Sequence, residues 1–282
     1  MRELTFTVST EDSELTALDL LRKLGFSRRS ITKLKQSGGV TRGGEVLRTV
    51  DRVNGGDVIR VVIDDSASEN VVPNPDIRTA AVFEDDDVIV FDKPPFLPVH
   101  PSILHRTDTL ANLFAAMFPN AAFRPINRLD RNTSGLCVCA KNRHAASQLT
   151  KSVSKTYFAV VDGIIEGSGE IDMPIGRTGD SIIKRAVRQD GQPAVTHYKA
   201  VLHKNGRTML EITLKTGRTH QIRVHFAHIG YPLCGDDMYG GDCSAIDRQA
   251  LHCGRVEFSQ PVTGERISLE STLPEDIRSL IE

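Results

Sequence analysis

Strand-like apolar segments dominate the chain from about residue 78 onward, and most of them follow one another without a helix between. Val82-Phe83 and Val88-Ile-Val-Phe91 flank an acidic turn, Glu84-Asp-Asp-Asp87, and read as a hairpin. Further strand candidates lie at 136–140, 157–162, 195–203, 209–215 and 256–258, with helix candidates at 110–118, 143–154 and 220–229. A parallel pair of strands needs a long crossover, whereas antiparallel neighbours need only a turn. The order of segments therefore predicts an α+β domain on a mixed, mainly antiparallel central sheet.

The first 65 residues read differently. Residues 1–8 alternate like a strand. Leu15, Leu18, Leu21 and Leu24 recur every third position and predict a helix over about 14–24, which Gly25 can end. Ser27 is placed to cap a second helix running to about Gln36. Gly38-Gly39 and Gly43-Gly44 bracket short strand-like pieces, and Val58-Ile-Arg-Val-Val-Ile63 is a strong strand candidate. The polar stretch from Asp64 to Pro75 reads as a linker. The expected organisation is a small unit at 1–65, a linker at 66–78 and a larger domain at 79–282.

Composition mostly excludes. At 282 residues, 39% of them hydrophobic, the chain can bury a sizeable core without disulfides. No apolar run approaches the roughly 18 residues of a membrane span, and the start lacks the apolar stretch of a signal peptide. Cys137, Cys139, Cys234, Cys243 and Cys253 form no CxxC pair, so free thiols in a reducing cytoplasm are expected. The formal net charge of -1 does not advertise a polyanionic partner. Its distribution is uneven, however. Arg22, Lys23, Arg28, Arg29, Lys33, Lys35 and Arg42 follow one another with no acidic residue between them, which makes a basic face on the first unit.

Two segments concentrate chemistry. In Arg124-Pro-Ile-Asn-Arg-Leu-Asp-Arg-Asn-Thr-Ser-Gly-Leu136, Asp130 is presented from a tight polar turn before an apolar strand. From spacing alone it reads more readily as closing an Asx-type turn, with Arg128 a surface charge. In Leu214-Lys-Thr-Gly-Arg-Thr-His-Gln-Ile-Arg-Val-His-Phe-Ala-His-Ile-Gly230, a strand ends at a glycine and a helix begins near Thr219, whose hydroxyl can cap it. His220, His225 and His228 raise a metal site. Yet His225 and His228 share a helix face that His220 does not, and no Cys or carboxylate nearby completes a ligand set. Arg218 and Arg223 fit a polyanion or a buried carboxylate better.

Taken with other segments in order, these resemble the RluA-like RNA pseudouridine synthases. The others are Asp92-Lys-Pro-Pro-Phe-Leu-Pro-Val-His-Pro101, Lys155-Thr-Tyr-Phe-Ala-Val-Val-Asp-Gly163, Tyr231-Pro-Leu-Cys-Gly-Asp236, Gln249-Ala-Leu-His252 and Pro261-Val-Thr-Gly-Glu265. The similarity runs from about Val82 to Ile267. The first unit looks like the S4-type RNA-binding domain that many members carry, with Arg28, Arg29, Lys33 and Lys35 on its basic tract.

The resemblance implies an isomerase that breaks the bond from uracil N1 to ribose, turns the base and rejoins it through C5. No electrons are exchanged and no group is donated, so neither metal, nucleotide nor redox cofactor is expected. Asp130 corresponds to the catalytic carboxylate, acting covalently or through a glycal-like intermediate. Arg223 corresponds to the arginine that pairs with it, and Tyr157 to the tyrosine that stacks on the target uracil. Arg128 corresponds to the arginine that enters the place of the extruded base, and Arg218 adds to RNA binding. Leu251 is either an apolar wall of the uracil pocket or a plain core leucine. Asn127, also expected at the pocket, stands where many relatives have His and cannot carry a proton. The implied partner is structured ribosomal or transfer RNA, bound by a monomer. Two rivals remain: a non-catalytic RNA-binding protein with this fold, and a hydrolase, which would want a second carboxylate. Asp236 is the nearest one, and its Gly235-Asp236 setting reads as a turn.

Overall fold

The computed structural model describes residues 1–64, 71–179 and 181–282. Its first part contains β1 (Arg2–Thr7), α1 (Ala17–Lys23), α2 (Arg28–Ser37), β2 (Val40–Arg42), β3 (Glu45–Val46) and β4 (Val58–Ile63). Both helices start on hydroxyl caps, Thr16 accepting from the Asp19 N–H and Ser27 from the Ser30 N–H. α2 stops at Gly38, whose left-handed backbone (φ 65°) suits a residue without a Cβ. The strands pair antiparallel in the order β1-β4-β2-β3. Ile31 and Leu34 of α2 join Leu4, Leu20, Leu21, Ile59 and Val61 in one apolar core. That leaves Arg28, Arg29, Lys33 and Lys35 exposed on the opposite side of α2.

The larger part follows in the order β5 (Ala80–Glu84), β6 (Val88–Lys93), α3 (Leu110–Met117), β7 (Arg124–Pro125), β8 (Ser134–Ala140), α4 (Arg143–Ser152), β9 (Ser154–Asp162) and β10 (Ser168–Asp172). Then come β11 (Ile175–Arg177), β12 (Arg185–Val187), β13 (Val195–Lys204), β14 (Arg207–Leu214), α5 (Gln221–His228), β15 (Leu251–Ser259), β16 (Arg266–Glu270) and α6 (Glu275–Arg278). Among the described residues one ten-stranded sheet carries the path β10-β13-β14-β9-β15-β8-β6-β5, with β16 on β15 and β7 on β8. The α+β class and the mixed, mainly antiparallel sheet expected from the segment order are what the chain adopts.

One pair of strands in this sheet, β8 and β15, runs parallel. Their backbones meet at Gly135, opposite Cys253. A Cβ on Gly135 would lie 2.3 Å from the Cys253 carbonyl oxygen, and its φ of 106° suits only glycine. β8 is buried at every position, and Val88–Phe91 of β6 is buried on both faces, so the middle of the sheet is covered on both sides.

Some elements went unanticipated. β10, β11, β12 and β16 are short or carry mixed polar residues, and periodicity did not announce them. Of the expected linker at 66–78, residues 66–70 lie outside the described residues. The later part is tied down: Asn112 Nδ2 donates to the Val72 carbonyl at 2.7 Å, and Asn74 Nδ2 to that of Thr107 at 2.7 Å.

The small sheet docks on the large one through a buried carboxylate. Arg2 donates from Nε and Nη2 to the two oxygens of Asp87 at 3.0 and 2.9 Å, and Asn142 Nδ2 donates at 2.6 Å. The Phe26 ring lies 4.3 Å from the His144 ring, and Gln148 Nε2 donates to the Leu24 carbonyl. Burial opposes the charge on Asp87, but Arg2, Asn142 and Gln260 outweigh it and hold the carboxyl below its ordinary range. A depressed carboxyl stabilises the fold above its unfolded pKa, and that contribution is lost as pH falls through the folded value. Asp87→Ala should therefore cost about 2 to 4 kcal/mol in denaturant unfolding at neutral pH. The gap to the parent protein should narrow as the pH falls below the ordinary carboxylate range.

Candidate active site

The loop between β7 and β8 is fixed before any substrate arrives. Asn127 has both ends of its amide on β8, Nδ2 donating to the Leu136 carbonyl at 2.9 Å and Oδ1 accepting from the Val138 N–H at 2.8 Å. Lys93 is fully buried, and its Nζ donates to the carbonyls of Pro94, Leu97 and Arg131. Burial pushes Lys93 down to about 7, while three carbonyl acceptors ask for the three protons of the ammonium. Arg248 Nη1 donates to the Asn132 carbonyl at 3.1 Å, and Gln249 Nε2 to Thr133 Oγ1 at 3.1 Å. Asp130 thus sits on a backbone held from both flanks.

Arg223, on α5, reaches that loop. Its Nη1 donates to Asp130 Oδ2 at 3.0 Å, and its Nε and Nη2 grip Asp236 bidentately at 2.7 and 2.8 Å. Asp236 is completely buried, and Arg223 nearly so. Burial works against the guanidinium charge, but Asp236 and then Asp130 more than offset it and raise Arg223 above its ordinary value. Gly235-Asp236 does form a turn, its N–H bonding the Leu233 carbonyl, but the side chain is also the main anchor of Arg223. The sequence reading of Asp236 as a turn alone is corrected on that point. The expected cap at Thr219 is corrected too. The residue before α5 is His220, in a left-handed conformation, and the side chain of Gln221 accepts from the Arg218 N–H at 3.0 Å instead.

Asp130 opens on a cleft of about 880 Å³ walled by Val99, His100, Asn127, Arg128, Tyr157, Leu214 and Arg218. A smaller recess beside it is lined by Asp130, Tyr157, His220, Arg223 and Leu251. Tyr157 and Leu251 are buried there. Burial, with the nearby Cys253, Asp130 and Cys137, pushes the Tyr157 hydroxyl well above its ordinary value, so it stays a neutral phenol. Arg128 is exposed at the rim, and Arg218 is exposed with its Nε on the Pro193 carbonyl at 2.9 Å. Arg28, Arg29, Lys33 and Lys35 stand apart on α2 and do not line the cleft. Asn127 lies in the wall, but its amide serves the backbone of β8.

The histidines separate. His225 is buried between Thr196 Oγ1 and the Met173 carbonyl, His228 is exposed, and His220 faces Asp130. Among the described residues no group of three or more His, Cys, Asp or Glu is arranged to hold a metal ion. No helix among them is long and apolar enough to cross a membrane. The sequence reading gave no role to Lys93, Tyr239, Arg248 or Gln249. A lysine closing the apolar strand Val88-Ile-Val-Phe-Asp-Lys93 was the one available signal.

Removing the guanidinium would strand Asp236 in the interior. Arg223→Ala should destabilise the fold by about 3 to 5 kcal/mol, the cost of breaking a buried pair. Arg223→Lys, which keeps charge but loses the fork, should lose activity with a smaller stability cost. Urea unfolding and turnover of the two variants check this.

Comparison with known proteins agrees with this geometry. Residues 87–228 match the family model described as RNA pseudouridylate synthase. An uncharacterized RNA pseudouridine synthase, YjbO, of Bacillus subtilis is 37% identical, with 95% of this chain and 99% of the relative aligned. A ribosomal large subunit pseudouridine synthase D of Pseudomonas aeruginosa is 38% identical over 90% of this chain and 87% of its own. Among solved structures, human RNA pseudouridylate synthase domain containing 1 superposes with a TM-score of 0.58 at 25% identity, covering 71% of this chain and 85% of the other. With a cleft roomy enough for a nucleobase beside a carboxylate-guanidinium pair and relatives aligned over most of their length, the chain belongs to the RNA pseudouridylate synthase family, enzymes that isomerise uridine in RNA.

Proposed function

We propose that Asp130 is the catalytic carboxylate and that the substrate is a uridine in structured RNA, ribosomal RNA first and transfer RNA second. The observation that carries the reading is the 3.0 Å bond from Arg223 Nη1 to Asp130 Oδ2 at the wall of an open cleft. Arg223 and His220 both approach Oδ2, which leaves Oδ1 for the substrate. In the reaction the bond from N1 to C1′ breaks and the bond from C5 to C1′ forms. C5 loses its hydrogen as a proton and N1 gains one, so the chemistry balances without oxidant or donor. The Tyr157 ring, with Leu251 behind it, supplies a dry apolar wall against which the uracil stacks while it turns.

A stacked uridine must first leave the helix, and Arg128 at the rim is suited to fill its place. We assign residues 1–65 as an S4-like RNA-binding domain and 79–282 as the catalytic domain, joined by the segment at 66–78. The support is the separate four-stranded sheet with its own core and the four exposed cations of α2. Ribosomal RNA is favoured because relatives such as that of Pseudomonas aeruginosa carry a large-subunit name. The enzyme is proposed to act as a cytoplasmic monomer with no cofactor.

Asp130→Asn should abolish pseudouridine formation and tritium release from 5-labelled uridine RNA while leaving the unfolding midpoint close to that of the parent. Residual turnover by that variant would refute the assignment. Charge neutralisation on α2, as Lys33→Ala with Lys35→Ala, should weaken RNA binding across sequences. It should also flatten the plot of log K against log salt by about 1 to 2 in slope.

A further inference from the structure

We propose that His220 is a positioning residue of this site, held by Tyr239 so that its Nε2–H is aimed at Oδ2 of Asp130. The inference rests on the assignment of Asp130 and extends it to a residue, and to the Tyr239–His220 hydrogen bond that holds it, that no comparison names.

The backbone gives the first observation. His220 has φ 57° and ψ 20°, a left-handed conformation that glycine adopts freely and that His, with Asn and Asp, enters more readily than other side chains. Glycine would fill this position with less strain, so what the position gains from histidine is the ring. The ring is nearly buried, with Nε2 3.8 Å from Asp130 Oδ2 and Nδ1 2.9 Å from the hydroxyl of Tyr239.

The carboxylate facing Nε2 then selects the tautomer. The Arg185 backbone N–H donates to the Tyr239 oxygen at 3.1 Å, so one lone pair of that oxygen is taken. The hydroxyl proton of Tyr239 is free to point at Nδ1, which accepts it. Nδ1 is then unprotonated, and the ring's own hydrogen lies on Nε2, facing the carboxylate. The opposite tautomer would set a lone pair against Asp130 and leave the Tyr239 proton without an acceptor. Tyr239 is itself located by a second contact, its ring lying 5.0 Å from the Arg223 guanidinium carbon. Asp236, three residues earlier in the same turn, holds the other side of that guanidinium. One short segment therefore orients both groups that converge on Oδ2.

Burial lowers the His220 pKa, Asp130 and Asp236 oppose that, and Arg223 and Arg185 add to it. The neutral ring is the working form. On acidification a second proton arrives on Nδ1, where it meets the Tyr239 hydroxyl donor to donor. The resulting cation binds Oδ2 tightly and restrains Asp130. Turnover should then fall on the acid side as His220 titrates.

Three variants test this in steady-state kinetics between about pH 5 and 8, where a histidine titrates. His220→Asn, which the left-handed backbone accepts but which cannot reach Asp130, should lower kcat about 10- to 100-fold with KM little changed. His220→Gln, whose amide N–H does reach, should recover much of that loss and no longer show the acid limb that His220 causes. Tyr239→Phe keeps the ring on Arg223 and removes only the hydroxyl. Loss of that donor favours the protonated imidazole, so the acid limb of kcat should move to higher pH. Wild-type kcat in His220→Asn, or a Tyr239→Phe profile that overlays the parent, overturns the proposal. Either result leaves the Asp130 assignment standing, because that assignment fails only if Asp130→Asn still makes pseudouridine.

Discussion

One guanidinium bridging two carboxylates is the interaction on which the site depends. Arg223 gives its Nε–Nη2 edge to Asp236 and a single Nη1 bond to Asp130. That unequal division has a physical sense. The bidentate grip on a fully buried Asp236 satisfies two of its donors in a rigid plane and fixes the direction of the remaining edge. The single bond to Asp130 steadies one oxygen and leaves the other without a fork. Had the fork gone to Asp130, both oxygens would be engaged and the carboxylate would be a structural anion. The buried partner is the anchor, and the half-exposed one is available to react.

The fold delivers these groups through its parallel pairing of β8 with β15. In a parallel pair the N-terminal ends of both strands lie side by side. The loop leading into β8 and the segment leading into β15 therefore arrive at the same edge of the sheet. Arg248 and Gln249 reach across that junction to Asn132 and Thr133. Tyr157 comes from β9 on the other flank of β15, opposite Cys253 in register. An all-antiparallel sheet would have set one of these loops at the far end. Gly135, which lets the β8 backbone close on Cys253, is the residue that the pairing cannot exchange.

Much of this was legible in the sequence, and what was missed shares one cause. α2 could be read because its signals are local: Ser27 before it, Gly38 after it and apolar residues at helical spacing between. The strands β6, β8 and β9 were readable as apolar runs, and β13 and β14 as strand-like segments on either side of a turn. Asp130, Arg223, Tyr157 and Leu251 were reached through motif resemblance, and spacing alone left Asp130 open to a plain turn. Asp236 was lost because Gly-Asp is a turn signal and the turn is real, whereas the burial of its carboxylate depends on α5 packing over it. α5 itself was placed within a residue at each end, but no side chain caps it, because the turn before it is closed by Gln221 accepting from the Arg218 N–H. Lys93 and Tyr239 act on groups tens of residues away, a relation that no periodicity carries. The tethered part of the linker follows the same logic, since Asn74 and Asn112 are polar in sequence but bonded across the fold.

The reaction asks for a rigid carboxylate and a mobile substrate, and the loop at 127–133 separates those demands between backbone and side chain. Its main chain is bonded by Lys93 and Arg248, and the Asn127 side chain ties its start to β8, so little entropy remains for Asp130 to lose when substrate arrives. Arg128 belongs to the same pinned backbone, yet its side chain is exposed over the cleft. A guanidinium on a flexible stem can follow a base out of the helix while its own Cα stays fixed relative to the carboxylate two residues on. On the roles proposed for Arg128 and Asp130, extrusion and chemistry are thereby referred to one frame. The uridine need not be delivered to the site by a moving domain, because the residue suited to replace it and the residue suited to act on it share a rigid turn.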